Sequence, residues 1–334
     1  MKFSPLLITL CSLFLVTGCN KVTTNSHHSP KQTSKASTPL GSLQQCEHYS
    51  GLPDAWPKKP TAGMVWFAKG SFQLGSDKAY PDELNFGQKQ RQVEGFWIDQ
   101  TEVTVAQFSS FVKATGYVTD AEQQKQAAVF SPDANKPNQW WQLKSDYTWK
   151  TPNGASGQAP RPAEPVRYVT KNDAEHYAVW LGRDLPTEPE WEYAAKAGSK
   201  VDTPLHQAPQ DAHQHPQANY WQGEFPLHNS VDDHFAGVAP VGCYPANAFQ
   251  LFDMIGNVWE WTSSVYQGAH DQHMGNYTDL RQQSIAATQY VIKGGSFLCA
   301  SSYCSRYRNS SRYPQEFDLA ATHVGFRTVL RTHQ

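Results

Sequence analysis

Two thiols five residues apart, Cys299 and Cys304, lie in the segment Gly294-Gly295-Ser296-Phe297-Leu298-Cys299-Ala300-Ser301-Ser302-Tyr303-Cys304-Ser305-Arg306-Tyr307-Arg308. Paired thiolates are soft donors. They select soft metals such as Cu(I), or they do redox work. Spacing alone leaves a second reading open, a structural disulfide closing a tight loop, which an oxidising compartment favours. The flanking residues favour the redox or soft-metal pair.

The elements that must position this pair are short. Met64 to Ser76 alternates with glycine punctuation and reads as strand, turn, strand, and Val93 to Ile98 as a further strand. Thr104-Val105-Ala106-Gln107 forms a capping box. It opens a helix with Phe108, Phe111 and Val112 on one face and Gly116 as its stop. Residues 121–165 are polar, rich in Pro and Gly and low in periodicity, and read as a long excursion around Trp140-Trp141. A second helix is expected over Asn172 to Leu181. A third begins at Thr187-Glu188-Pro189-Glu190 and runs to Gly198. Residues 199–250 read as irregular, with strands again at Gln289 to Lys293 and His323 to Val329. Few long elements and many aromatic-anchored loops argue for an α+β domain.

Composition narrows the function. The chain has 334 residues, a net charge of −2 and no basic stretch, which argues against nucleic acid as a partner. Only 17% of residues are charged, against 11 Trp, 15 Tyr and 16 Phe, so the core must rest on large side chains. No repeat of fixed period is present.

The N-terminus reads as an export signal. Met1-Lys2-Phe3 leads into an apolar stretch, Leu6 to Val16, too short to span a bilayer. It ends in Val16-Thr17-Gly18-Cys19, which looks like a bacterial lipobox. Residues 1–18 are therefore expected to be a lipoprotein signal, with lipid on Cys19 and 19–45 as a polar tether. Asn20 after the cysteine resembles lipoproteins sorted to the outer membrane, facing the periplasm, if the host is Gram-negative. His27-His28 reads as a solvated pair in that tether. With Cys11 leaving and Cys19 lipidated, Cys46, Cys243, Cys299 and Cys304 remain. They are compatible with two disulfides, or with one Cys46–Cys243 bridge beside a functional pair; the second is favoured.

The thiol segment resembles the active-site segment of the formylglycine-generating enzymes, the sulfatase-modifying factors. So do Gly182-Arg183-Asp184-Leu185-Pro186-Thr187-Glu188-Pro189-Glu190-Trp191-Glu192-Tyr193-Ala194-Ala195 and Asn219-Tyr220-Trp221-Gln222-Gly223-Glu224-Phe225-Pro226. Gly256-Asn257-Val258-Trp259-Glu260-Trp261-Thr262 and Val324-Gly325-Phe326-Arg327 complete the match. It covers roughly residues 62–330 of a single 46–334 domain. The resemblance implies an α+β fold with little regular structure, similar to C-type lectins. It implies oxidation of a cysteine in a client sulfatase (a Cys-x-Pro-x-Arg type motif) to Cα-formylglycine with O2. Carried over residue by residue, Cys299 and Cys304 would hold Cu(I), with Ser296 a hydrogen-bonding pocket residue and Trp259 and Tyr303 shaping the pocket.

The resemblance also implies two structural calcium sites. One would use the side chains of Asn219 and Asp233 with the carbonyls of Tyr220 and Phe235. The other would use the side chains of Asp253 and Glu260 with the carbonyls of Gly256 and Val258. Hard oxygens from carboxylates and loop carbonyls suit that ion. Without the resemblance, Asp232-Asp233 reads as a solvated turn and Glu260 as a partner for an arginine. The chain departs from the family at Ala300, where histidine is frequent, and at His323, where asparagine is common. His323 then reads as a core or pocket histidine. Residues 151–160 do not reproduce the family's acidic client-side residue, and Val169-Thr170-Lys171 replaces a more usual Val-Ser-Trp. A monomer is expected. The rival readings are a non-catalytic envelope lipoprotein of the same fold and an oxidoreductase of the superfamily acting on another thiol.

Overall fold

A computed structural model describes residues 40–84, 89–133, 139–199, 202–267 and 288–332. The proposed signal, Cys19 and most of the tether lie outside the described residues. In chain order the elements are α1 (Leu43–Glu47), β1 (Met64–Phe67), β2 (Gly70–Leu74), α2 (Pro81–Leu84), β3 (Lys89–Val93), β4 (Phe96–Asp99), α3 (Val105–Thr115), α4 (Asp120–Gln124), β5 (Ala127–Phe130) and β6 (Trp141–Lys144). There follow α5 (Lys171–Trp180), α6 (Glu188–Lys196), β7 (Trp259–Val265), β8 (Gln289–Lys293), β9 (Arg312–Glu316), β10 (Val324–Gly325) and β11 (Val329–Arg331).

Helices α3, α4, α5 and α6 start on capping boxes. Thr104, Thr170 and Thr187 each accept from the backbone N–H three residues on, and Gln107, Asp173 and Glu190 reach back to the cap's own N–H. Gly116 closes α3 at φ 69°, a left-handed position that glycine adopts without strain. Burial pushes the Asp173 carboxyl up to about 6, although the Thr170 and Asp120 N–H groups pull the other way.

Two sheets carry the fold. One has the order β10-β7-β8-β9, parallel between β10 and β7 and otherwise antiparallel; the other is antiparallel β1-β4-β11. The hairpins β2-β3 and β5-β6 stand apart. Packing of α6 on the β1-β4-β11 sheet buries Trp191, Phe67, Phe96 and Ile98. A second cluster joins Phe108, Phe111, Tyr177, Trp261 and Phe326 and includes both thiols of the pair. Among the described residues no helix is long and apolar enough to cross a membrane.

Several expectations need correction. Val93 to Ile98 is two strands, because the chain breaks at Gly95, where any Cβ would lie 2.7 Å from the Trp66 ring. Met64 to Ser76 does hold two strands, as expected, and they belong to different sheets: β1 pairs β4, and β2 pairs β3. The 121–165 excursion contains a hairpin, with Phe130 opposite Trp141. His323 to Val329 is two strands in different sheets, β10 and β11, separated by Phe326-Arg327-Thr328. The folded region also begins before Cys46, since Gly41 N–H donates to the Gly242 carbonyl at 2.8 Å and α1 starts at Leu43.

Candidate functional site

The thiols lie on the loop between β8 and β9. Its two opening glycines have φ of 92° and 81°, and a Cβ on Gly295 would sit 2.7 Å from the Arg306 carbonyl oxygen. Only glycine lets the incoming and outgoing arms of the loop approach this closely. Cys299 N–H then donates to the Ser296 carbonyl at 2.9 Å, and Cys304 N–H to the Ala300 carbonyl at 3.0 Å. These two turns fold the five-residue spacing back on itself. The Sγ atoms end 3.2 Å apart, unbonded and buried. The other pair, Cys46 and Cys243, is a disulfide with a Cα–Cα distance of 5.0 Å.

A buried ionic clamp holds the outgoing arm. Arg306 donates to both oxygens of Asp82, at 2.9 and 3.0 Å, and lies 3.0 Å from Glu83. Its guanidinium sits 4.5 Å above the Tyr80 ring. Arg308 pairs with the other oxygen of Glu83. The Tyr80 hydroxyl accepts from Ser305 N–H at 3.0 Å. Tyr80, Asp82 and Glu83 are more than 200 positions from the loop, and no local pattern marks them. The one available signal was the alternation Arg306-x-Arg308, two cations that burial obliges to find carboxylates.

The clamp affects the thiols electrostatically. Burial opposes ionisation of Cys299, but three hydrogen bonds and one charge outweigh it. The bonds come from the Cys304 thiol and the backbone N–H groups of Ser296 and Arg306, and the charge is that of Arg306. Together they hold Cys299 below the ordinary thiol value. The shared hydrogen bond with Cys299, and then burial, push Cys304 well up. Once the first proton leaves, the pair shares the remaining one between two sulfurs, and its titration belongs to the pair.

The sulfurs open on a small cavity of about 40 Å³, room for a few water-sized molecules and no more. Its walls are aromatic: Trp141, Phe225, Trp259, Tyr303 and Tyr313, with Ser296, Leu298 and His323 between them. Tyr303 stacks on Phe225 at 4.4 Å between centroids, and His323 meets Trp141 at 4.8 Å. Burial lowers the His323 pKa to about 3, so its imidazole is neutral near pH 7. The Ser296 hydroxyl accepts from Leu298 N–H at 3.3 Å. Thus Ser296, Trp259, Tyr303 and His323 all line the thiol cavity. Trp141, Phe225 and Tyr313 were not singled out from sequence, because an aromatic in a loop carries no local sign of which cavity it faces.

The residues of the two implied calcium sites adjoin each other and border the thiol loop, where Trp221 N–H donates to the Cys299 carbonyl at 2.9 Å. The Asn219 Oδ1 atom is buried without a hydrogen-bond donor among the described residues. Asp233 accepts from Tyr220 N–H and Phe235 N–H, both at 3.0 Å, and burial raises its pKa. Gly256 touches this loop, since a Cβ there would lie 2.3 Å from the Asn219 carbonyl oxygen. Beyond it, Glu260 is held by Arg327 through two bonds of 2.7 Å and by Trp191 Nε1 at 2.6 Å. Asp253 accepts from Gly242 N–H at 2.6 Å, and Glu102 from Asn257 and from Val258 N–H. Three buried carboxylates thus share one guanidinium. Burial pushes Asp253 up to about 6, and burial with the charges of Asp253 and Glu260 raises Glu102 further. Glu102 was not foreseen. Among the described residues no three Asp, Glu, His or Cys side chains converge as a metal site, so a cation here must also draw on amide and carbonyl oxygens.

Residues 49–332 match the protein family described as the Sulfatase-modifying factor enzyme 1-like domain. The chain is 39% identical over 292 residues to the formylglycine-generating enzyme of Mycobacterium tuberculosis, covering 80% of this chain and 97% of that one. It is 35% identical over 283 residues to a Bos taurus protein named Inactive C-alpha-formylglycine-generating enzyme 2, covering 80% and 87%. Among solved structures, PvdO from Pseudomonas aeruginosa superposes with a TM-score of 0.55 at 22% identity, over 83% of this chain and 98% of that one, a likeness of fold.

The shared proton has a measurable consequence. In metal-free protein, Cys304→Ala removes the donor to Cys299 and should raise the pH at which Cys299 ionises by about one to two units. Thiolate ultraviolet absorbance, corrected with the double variant lacking both thiols, reads this directly. An unchanged or lowered midpoint would mean that the proton is not shared.

Proposed function

The chain belongs to the sulfatase-modifying factor family, and on that premise we propose that it is a copper-dependent formylglycine-generating oxidase acting on a cysteine of a client sulfatase. The observation that carries this reading is the pair of buried, unbonded thiols 3.2 Å apart at the end of an aromatic cavity. A relative named inactive shares much of the sequence, so the fold does not by itself argue for activity. Two soft sulfurs, one of them already favoured as thiolate, fit Cu(I). Bound there, copper would supply O2 activation.

The chain's own residues would do the rest. The clamp through Arg306 keeps the outgoing arm in place, and the N–H groups of Ser296 and Arg306 stabilise charge on Cys299. The aromatic walls limit water around the client cysteine, and neutral His323 adds no charge to the cavity. The client CH2–SH gives up two hydrogens, and two molecules of an external thiol give two more, so that O2 becomes two waters, the thiols a disulfide and the client a thioaldehyde. Water then adds and hydrogen sulfide leaves, giving the aldehyde. The client motif is of the Cys-x-Pro-x-Arg type, the acting form is a monomer, and the kinship with C-type lectins belongs to the same reading.

Copper-loaded full-length chain should convert such a peptide in air to a product carrying an aldehyde, with the mass change from CH2–SH to CHO. Cys299→Ser should abolish both copper binding and aldehyde. Copper binding that survives the substitution, or aldehyde formed without the thiol, overturns the assignment. Neither copper binding nor aldehyde in the unaltered chain favours the non-catalytic binding module.

We further propose structural calcium at the two acidic loops. The buried Asn219 Oδ1 atom and the excess of carboxylate over guanidinium around Arg327 both call for a cation. Chelation should lower the midpoint of thermal unfolding by several degrees, and added Ca2+ should restore it. A midpoint indifferent to chelation would remove calcium from the account.

Export with lipid on Cys19 completes the proposal. It is supported by the apolar stretch before Cys19 and by the Cys46–Cys243 bridge, which persists in oxidising compartments. In a Gram-negative host, outer-membrane sorting follows from Asn20. Cys19→Ala should release the chain from the membrane fraction; retention there would disprove the lipid anchor.

A further inference from the structure

A second cavity, of about 300 Å³, neighbours the thiol cavity. Thr322 lines it while His323 lines the thiol side, and Phe297 lines it while Ser296 and Leu298 line the other. Phe130, also in its wall, packs against Trp141 and Phe225 of the thiol cavity. Adjacent residues of the same turns and one aromatic contact thus put the two cavities within a few residues' reach of one another.

The chemistry of this second cavity centres on Arg167. Its side chain is over nine-tenths buried, and one terminal nitrogen donates to Asn153 Oδ1 at 2.9 Å, the other to the Thr322 carbonyl at 3.4 Å. The guanidinium lies 5.4 Å from the centre of the Tyr168 ring. Among the described residues no carboxylate lines the cavity and Arg167 makes no salt bridge; Glu164, whose charge reaches it, is bonded to Arg161 instead. The other polar groups in the wall are neutral, including Ser131 and Tyr147. Lys144 adds a second positive charge at this side, donating to Ser131 Oγ at 3.0 Å and lying 5.6 Å from the Tyr147 ring. Every other buried arginine described above, Arg183, Arg306, Arg308, Arg312 and Arg327, has a carboxylate partner. A buried guanidinium bonded only to neutral oxygens keeps unused N–H groups and a charge that no direct carboxylate contact offsets, and its planar fork matches a carboxylate.

We propose that this cavity receives a carboxylate side chain of the client, a few residues from the cysteine that enters the thiol cavity. The inference rests on the oxidase reading for the identity of that client. It makes specificity a matter of charge: an arginine of the client entering here would meet a like charge and lose the contact.

The test is a set of acetylated, amidated peptides based on Cys-x-Pro-x-Arg, in which glutamate, arginine or glutamine occupies each position around the cysteine in turn. Binding to the copper-loaded full chain is measured by calorimetry without O2, and aldehyde formation in air. At one position glutamate should bind at least about tenfold tighter than arginine, the scale of a charge-assisted contact. Arg167→Glu should reverse that preference, and the milder Arg167→Gln should erase it while the glutamine peptide binds as before. No position with a glutamate preference, or a preference that both variants leave intact, overturns the inference. A free-acid version of the glutamine peptide that binds through Arg167 when the glutamate side chains do not would also overturn it, assigning the cavity to a chain terminus. Charge-dependent binding with no aldehyde leaves the cavity assignment standing and removes the oxidase reading. Aldehyde formation indifferent to Arg167 does the reverse.

Discussion

The fold turns on the buried pair between Arg327 and Glu260. Arg327 sits where the chain leaves the four-stranded sheet after β10 and before it enters the three-stranded sheet as β11. Its guanidinium binds Glu260 on β7 and also donates to the carbonyls of Asp99 and Phe252. One side chain therefore ties both sheets to the loop that carries Asp253. The pair is costly to bury, and the two further carboxylates beside it raise that cost. Its use is positional. Successive residues of a strand face opposite ways, so fixing Glu260 toward Arg327 turns Trp259 toward the thiol cavity.

The same device recurs at the thiols. Loops without a strand ladder cannot hold a side chain to a fraction of an ångström by backbone pairing alone. Here the arm after Cys304 is fixed by Arg306 and Arg308 against Asp82 and Glu83, all buried. The charge of Arg306 also favours thiolate on both sulfurs, while the hydrogen bond between them sets Cys299 below Cys304. Geometry and reactivity thus share one set of contacts, and truncating either carboxylate would disturb both.

How much of this was legible in the chain follows from the range of the forces involved. Capping boxes at Thr104 and Thr187 act over four residues, and both helices start where those residues place them. The strand at Gln289–Lys293 was equally plain from its composition. The break at Gly95 was not, because its cause is the ring of Trp66, some thirty positions away. Nor was the β5-β6 hairpin, whose strands are only four residues each. The thiols stood out as a pair, and motif resemblance brought in Ser296, Trp259, Tyr303 and His323. Sequence could not say that the pair is unbonded, nor that Asp82 and Glu83 guard it. Both facts depend on contacts between segments that only the folded chain brings together.

Placing the second cavity beside the first has a structural logic. Most residues around Arg167 belong to β5, the loop before α5 and the approach to β10, with Phe297 from the thiol loop, and none of them takes part in the ionic clamp on the thiols. Phe130 packs between the two cavities, against Trp141 and Phe225. Exchanging Arg167 therefore alters the charge met by a client without removing any contact of the clamp. A scaffold arranged in this way can change which segment it accepts while the thiol pair and its proton stay as they are.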